Sequence, residues 1–202
     1  AIGIGKSKAI IDRLTLNAKS IDAMAKALLE VCSLPDPVGS GTYTTKRPNG
    51  LLMHKIRVPL GVVAMIFESR PNVATDASSL TIKSGNTVIL RGGKEALNSN
   101  IALANIIREG LSASGFPKDT VQMIDKTEHE IVDEMLGLSQ YIDVVIPRGG
   151  ESLINSVREK SKIPVIFHDK GVCHVFVDEN AEQKMAEEIS INAKCQKPSV
   201  CN

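Results

Sequence analysis

The stretch Val62-Val63-Ala64-Met65-Ile66-Phe67-Glu68-Ser69-Arg70-Pro71-Asn72 decides how the rest of the chain is read. Six apolar residues in a row suit a strand that is buried on both faces rather than one that alternates between core and water. A polar elbow then ends the strand, and from about Val73 to Lys83 a helical segment follows. The texture repeats outward from there. Thr87 to Leu90 is a second short strand, and Ile101, Ala104, Ile107 and Leu111 mark the next helix face. Val121 to Ile124 is a strand, Ile131, Val132, Met135 and Leu136 a helix, and Ile142 to Ile146 a strand again. Leu153, Ile154 and Val157 form another helix face, Val165 to Phe167 and Cys173 to Val177 read as strands, and Met185, Ala186, Ile189 and Ala193 close with a helix. Strands that alternate with helices in this way predict an α/β fold with a Rossmann-like parallel sheet covered by helices on both faces.

Upstream of this unit, Ile21, Met24, Ala25, Leu28, Leu29 and Cys32 recur at helical spacing and are followed by Pro35 and Pro37, which end the helix. Between that helix and the first buried strand, Asn49-Gly50 separates two β-prone segments. The step predicts a β-hairpin, an arm of residues 40–58 that projects from the body.

Composition narrows the function classes. With 24 basic and 23 acidic side chains among 202 residues, the formal charge is +1, so no long-range field recruits nucleic acid or an anionic membrane. Aromatic residues make up 3% of the chain and Trp is missing, which argues against a stacking platform for single strands. The apolar runs are far shorter than a bilayer-crossing helix requires. Cytoplasm is the default location. Cys32, Cys173, Cys195 and Cys201 show no CxxC pair and are expected to be reduced thiols without a metal site.

Two loops share one pattern. Val88-Ile89-Leu90 runs into Arg91-Gly92-Gly93-Lys94, and Val145-Ile146-Pro147 runs into Arg148-Gly149-Gly150-Glu151. Each lies between a strand and a helix, where backbone N–H groups and the helix dipole favour an anion and an Arg can fork onto phosphate. The same glycines equally suit a plain tight turn. In an open α/β sheet both loops belong to the carboxyl rim, where ligands bind. Glu68-Ser69-Arg70-Pro71-Asn72 emerges on that rim too. Asn72 offers amide hydrogens to a developing oxyanion, although capping a helix is the ordinary work of Asn at such a position. Cys201 lies in Gln196-Lys197-Pro198-Ser199-Val200-Cys201-Asn202, past the last helix. As a residue taken alone, it is better explained by apolar burial than by nucleophilic chemistry.

Taken together, Arg57-Val58-Pro59-Leu60-Gly61, Glu68 to Asn72, Lys83-Ser84-Gly85-Asn86-Thr87 through Gly93, Val145 to Gly150 and Asn192-Ala193-Lys194-Cys195 through Asn202 form an ordered set. That set resembles the gamma-glutamyl phosphate reductases of the aldehyde dehydrogenase superfamily, over nearly the whole chain. The resemblance implies reduction of L-glutamate 5-phosphate by NADPH to the 5-semialdehyde and phosphate, a step of proline biosynthesis. It implies Cys201 as the nucleophile that forms a thioester, with Asn72 on the oxyanion. Arg91, Gly92, Gly93 and Lys94 would bind the cofactor, Arg91 where related dehydrogenases put a lysine beside the adenosine ribose, and Arg148, Gly149 and Gly150 would lie near the nicotinamide. Arg70 is a candidate for the glutamate carboxylate. His168 stands where hydrolysing aldehyde dehydrogenases carry a glutamate base, a change that would shield a thioester from water. Residues 1–200 would form the NADP-binding domain with the 40–58 hairpin as an oligomerisation arm. Residues 201–202 would begin a catalytic domain, since members of the family continue well beyond Asn202. The resemblance therefore implies that these 202 residues alone bind cofactor weakly and turn over no substrate, whereas the full-length protein forms a homo-oligomer. A coenzyme A acylating relative, the reductase half of a fused pyrroline-carboxylate synthase and a nucleotide-binding module without chemistry are the rival readings.

Overall fold

The computed structural model describes residues 11, 14–168 and 171–196. It divides into a body, residues 1–167, and a separate unit, residues 168–202. The body begins with α1 (Ala18–Ser33), whose first turn is closed by reciprocal bonds between Asn17 and Ser20. Of its apolar stripe only Met24 is buried. The hairpin follows as β1 (Gly41–Lys46) and β2 (Leu52–Ile56), antiparallel and, among the described residues, paired only with each other. Its turn is closed by Arg47 N–H to Leu51 O and Gly50 N–H to Arg47 O, as the Asn-Gly step predicts. Tyr43, Leu52, Met53 and Ile56 are exposed along it.

The sheet of the body is parallel, in the order β5-β4-β3-β6. Its elements are β3 (Val62–Phe67), α2 (Asn72–Lys83), β4 (Thr87–Gly92), α3 (Leu97–Ala113), β5 (Val121–Met123), α4 (His129–Leu136), β6 (Val144–Arg148) and α5 (Glu151–Lys160). The run from Val62 is the central strand, and its residues divide between two cores. Ala64 and Ile66 pack with Val132, Met135, Leu136 and Val157 of α4 and α5 on one face. Phe67, with Met65 against it, packs with Val73, Ala74, Ala104 and Leu111 of α2 and α3 on the other. A strand with helices on both sides must be apolar at both parities, which is why its sequence does not alternate.

Two sequence-based expectations change here. Val165 to Phe167 contributes a single parallel bridge, Val165 to Val145. The described part of Cys173 to Val177 forms no strand, and Phe176 is 87% exposed. A strand exists only with a neighbour to pair with, and β propensity alone does not supply one. The second unit, taken by itself, contains α6 (Gln183–Cys195). Its first turn is capped by the Glu182 carboxylate, which accepts from Lys184 N–H and Met185 N–H. Among the described residues no helix is long and apolar enough to cross a membrane.

Gly61 sets the entry to β3. Its φ of +117° is open to glycine but strained for other residues, and a Cβ there would collide with the Asp143 carboxylate. That carboxylate accepts Val62 N–H at 2.8 Å, while Gly61 N–H goes to Asn86 Oδ1 at 2.8 Å. Gly61→Ala is expected to cost about 1–3 kcal/mol, read as a lower denaturant midpoint with an unchanged slope in urea unfolding. An unchanged midpoint would mean that the strand entry tolerates the side chain.

Candidate functional site

The register of the sheet brings the predicted loops to one edge. Phe67, the last residue of β3, pairs with Gly92 of β4 on one side and Arg148 of β6 on the other. The two Arg-Gly-Gly loops therefore leave the sheet on either side of the Glu68 elbow, about 10 Å apart at two strand spacings. The chain winds from β3 through β4 to β5 and then returns to the far side of β3 as β6. The crevice between β3 and β6 is thus a topological switch point, the usual ligand position in such sheets.

Three carboxylates organise this rim. Glu68 Oε2 accepts Gly150 N–H at 3.0 Å, ahead of the first turn of α5, while Glu68 N–H donates to Arg148 O at 3.2 Å. The seat predicted for an outside anion therefore holds an internal one. Glu95, in the short turn before α3, accepts both Ser69 N–H and Ser69 Oγ–H. These bonds hold Ser69 at φ +43°, the only non-glycine residue with positive φ among those described. Sequence reasoning set Glu68 on the rim but missed Glu95 and the partners of both carboxylates, because each acts across strands through a register that linear spacing does not reveal. The third, Asp76, is reached from Asn72.

Asn72 is the first residue of α2. Pro71 takes the N-cap position, and no side chain caps the helix. The capping role that its position suggests is therefore not the one it takes. Its Nδ2 donates instead to Asp76 Oδ2 at 2.9 Å, one turn on. Burial raises the Asp76 carboxyl above its ordinary value of 3.8, and the bond from Asn72 opposes that rise. Because the folded-state value lies above the unfolded one, ionised Asp76 subtracts from stability at neutral pH. That penalty fades as the pH falls through the raised value and is gone below the unfolded one. The helical interval between Asn72 and Asp76 was the available sequence signal.

A cavity of about 230 Å³ opens between the exits of β3, β4 and β5, lined by Glu68, Ser69, Arg91, Gly93, Lys94, Glu95, Thr127 and His129. Arg91 is 8% exposed and commits its fork to the main chain, with Nη1 donating to Gly92 O and Nη2 to Thr127 O. Its Nε is buried with no hydrogen-bond partner among the described residues, as is the side-chain amide of Asn100. Gly92 rests directly on that amide and on the Phe67 ring, so a Cβ would displace both. Lys94 is exposed at the mouth. Two cationic side chains, an orphaned donor and a closely approachable backbone fit one phosphate-bearing or ribose end of a nicotinamide dinucleotide. The volume lies below the roughly 300–1,000 Å³ of small-molecule sites, so the remainder of such a ligand would run along the open rim.

Arg70 is half-buried on the same elbow, and among the described residues its guanidinium makes no hydrogen bond or ion pair. Arg148 and Gly150 are exposed. His168 opens the second unit and is exposed, Cys32 and Cys195 lie on α1 and α6, and Cys201 lies outside the described residues. Among the described residues no group of three or more His, Cys, Asp or Glu side chains is placed to hold a metal ion.

Comparison with known proteins agrees with this geometry. The model described as the aldehyde dehydrogenase family matches residues 12–201. A gamma-glutamyl phosphate reductase of Aquifex aeolicus is 56% identical over 199 residues, covering 98% of this chain and 46% of that protein. The solved gamma-glutamyl phosphate reductase of Thermotoga maritima superposes with a TM-score of 0.89 at 46% identity, covering 98% of this chain and 48% of that one. That of Saccharomyces cerevisiae gives 0.73 at 34% identity, over 95% of this chain and 49% of that one. The chain thus spans about half the length of the curated relatives it matches. With its parallel sheet wound about β3 and its glycine loops on the carboxyl rim, the chain belongs to the aldehyde dehydrogenase family.

Proposed function

We propose that this chain supplies the cofactor side of a NADPH-dependent reduction of L-glutamate 5-phosphate to L-glutamate 5-semialdehyde and phosphate, in the proline biosynthesis of the cytoplasm. The observation that carries the reading is the shared rim: the Arg91 loop, the Asn72 elbow and the Arg148 loop on adjacent strands, in a chain 56% identical to a protein of that name. In the proposed reaction the Cys201 thiolate attacks the acyl carbon and the carbon to phosphate-oxygen bond breaks, leaving a thioester and free phosphate. NADPH, when bound, supplies hydride to that acyl carbon, and a proton returns to the departing sulfur. Asn72 holds the acyl oxygen as charge gathers on it in both steps. Lys94 faces the cofactor phosphates, and Arg91 keeps the cavity wall in place through its bonds to Gly92 O and Thr127 O. Arg70 takes the substrate carboxylate. The exposed apolar residues of β1 and β2 suit pairing with another copy, which makes the hairpin an oligomerisation arm.

The test uses the full-length protein in the direction of aldehyde oxidation, with phosphate as acyl acceptor, followed by the near-ultraviolet absorbance of the reduced nicotinamide. Phosphate-dependent oxidation of glutamate 5-semialdehyde, faster with NADP than with NAD, is expected. Oxidation that requires coenzyme A in place of phosphate would move the protein to the acylating branch, and no oxidation with either acceptor would end the enzymatic reading.

A further inference from the structure

We propose that Asp76 recognises the ammonium group of the acyl substrate, from a position one hydrogen bond behind the amide of Asn72. This deepens the proposed reaction and rests on it. The inference begins with a carboxylate that has no cation. Glu68 and Glu95 on the same rim are each satisfied by main-chain N–H groups. Asp76 has one described bond, from a neutral amide, and no Lys, Arg or His pairs with it among the described residues. It sits on the stripe of α2 that carries exposed Asn72, while Val73 and Ala74 turn into the core beneath. Burial already disfavours its charged form. Leaving such a group uncompensated is costly.

The charge has a second consequence. A carboxylate just behind an oxyanion donor opposes the negative charge that gathers on the acyl oxygen, unless a cation lies against it. A glutamyl substrate brings that cation. Its ammonium nitrogen is four bonds from the acyl carbon, about 5 Å when extended. The acyl oxygen on Asn72 and the Asp76 carboxylate are separated by the 2.9 Å amide bond plus about 3 Å for the bond to the acyl oxygen. With about 3 Å more for the hydrogen bond between ammonium and carboxylate, the substrate chain is long enough to bend across that gap, so one substrate molecule reaches both groups. Arg70, two residues before Asn72 and likewise without an anionic partner among the described residues, provides for the opposite charge. A cation two residues before one amide and an anion four residues after it suit the zwitterionic head of an amino acid.

The test compares two aldehydes in the full-length protein, again as phosphate-dependent oxidation with NADP: glutamate 5-semialdehyde, and 5-oxopentanoate, which has hydrogen in place of the ammonium. The readout is the ratio of their kcat/KM values in wild type, Asp76→Asn and Asp76→Glu. Comparing ratios between variants cancels the fraction of semialdehyde held as its cyclic imine. Asp76→Asn keeps the shape and removes the charge, and the ratio is expected to fall about 10- to 100-fold, with Asp76→Glu recovering part of it. Removing a half-buried charge should leave the melting temperature equal or higher, which separates this effect from misfolding. A ratio that stays constant overturns the inference, whether both rates fall together because Asp76 only steadies Asn72 or neither rate moves. If wild type oxidises the semialdehyde but Asp76→Asn keeps the ratio, the proposed reaction stands and the inference falls. If wild type oxidises neither aldehyde, the reaction fails and the inference with it.

Discussion

Replacing Cys201 with alanine in the full-length protein is expected to lower phosphate-dependent semialdehyde oxidation by about 10⁴-fold or more, the scale of removing a covalent nucleophile. The loss should fall on kcat, with cofactor binding retained, because in the proposed reaction the thiol serves acyl transfer rather than the binding of the cofactor. Labelling with iodoacetamide gives an independent readout. Cys32, Cys173 and Cys195 are all exposed, so access alone does not rank these three thiols. A free thiol with an ordinary pKa of about 8.5 is only a few percent thiolate at neutral pH. Faster modification of Cys201 than of Cys32 would therefore report a lowered pKa. Equal labelling rates, together with full activity in Cys201→Ala, would remove the thioester from the account.

The second large effect is expected at Asn72. Truncation to alanine should lower kcat about 10²- to 10³-fold while KM for the aldehyde changes little, the pattern of an interaction made mainly in the transition state. Here the fold helps the interpretation. Had Asn72 capped α2, its loss would cost about 1 kcal/mol of stability and confuse the kinetics. Pro71 occupies the cap position and, among the described residues, the Asn72 side chain bonds only Asp76. The melting temperature of Asn72→Ala should accordingly fall only slightly, through the one bond lost by Asp76. A fall in stability of the size of a lost cap, or a kcat within threefold of wild type, would assign the amide a structural role.

The sequence was most legible where period and burial agree. Val62 to Phe67 announces a strand buried on both faces, and the structure sets Ala64 and Ile66 in one core with Phe67 in the other. The glycine loops were placed on the carboxyl rim by their position after strands, and the pairing of Phe67 with both Gly92 and Arg148 puts them there. Long-range partners were illegible. No spacing rule leads from Glu68 to Gly150, since only the β3 to β6 register brings them together. Arg91 illustrates a different limit: residue type suggested a guanidinium offered to a phosphate, whereas the loop before α4 draws it to Thr127 O. Cys173 to Val177 has the composition of a strand, yet pairing depends on a neighbour that composition does not describe.

The bond from Gly150 N–H to Glu68 also sets the thermodynamics of whatever negative ligand arrives at α5. Such a ligand does not dock onto a vacant donor; it enters an exchange, in which one carboxylate returns to water as another anion replaces it. The measured affinity is then the difference between two contacts of similar kind rather than the strength of either. A site built on substitution holds its occupant loosely for the number of bonds it makes, and the displaced side chain is already at hand to refill the position when the ligand departs.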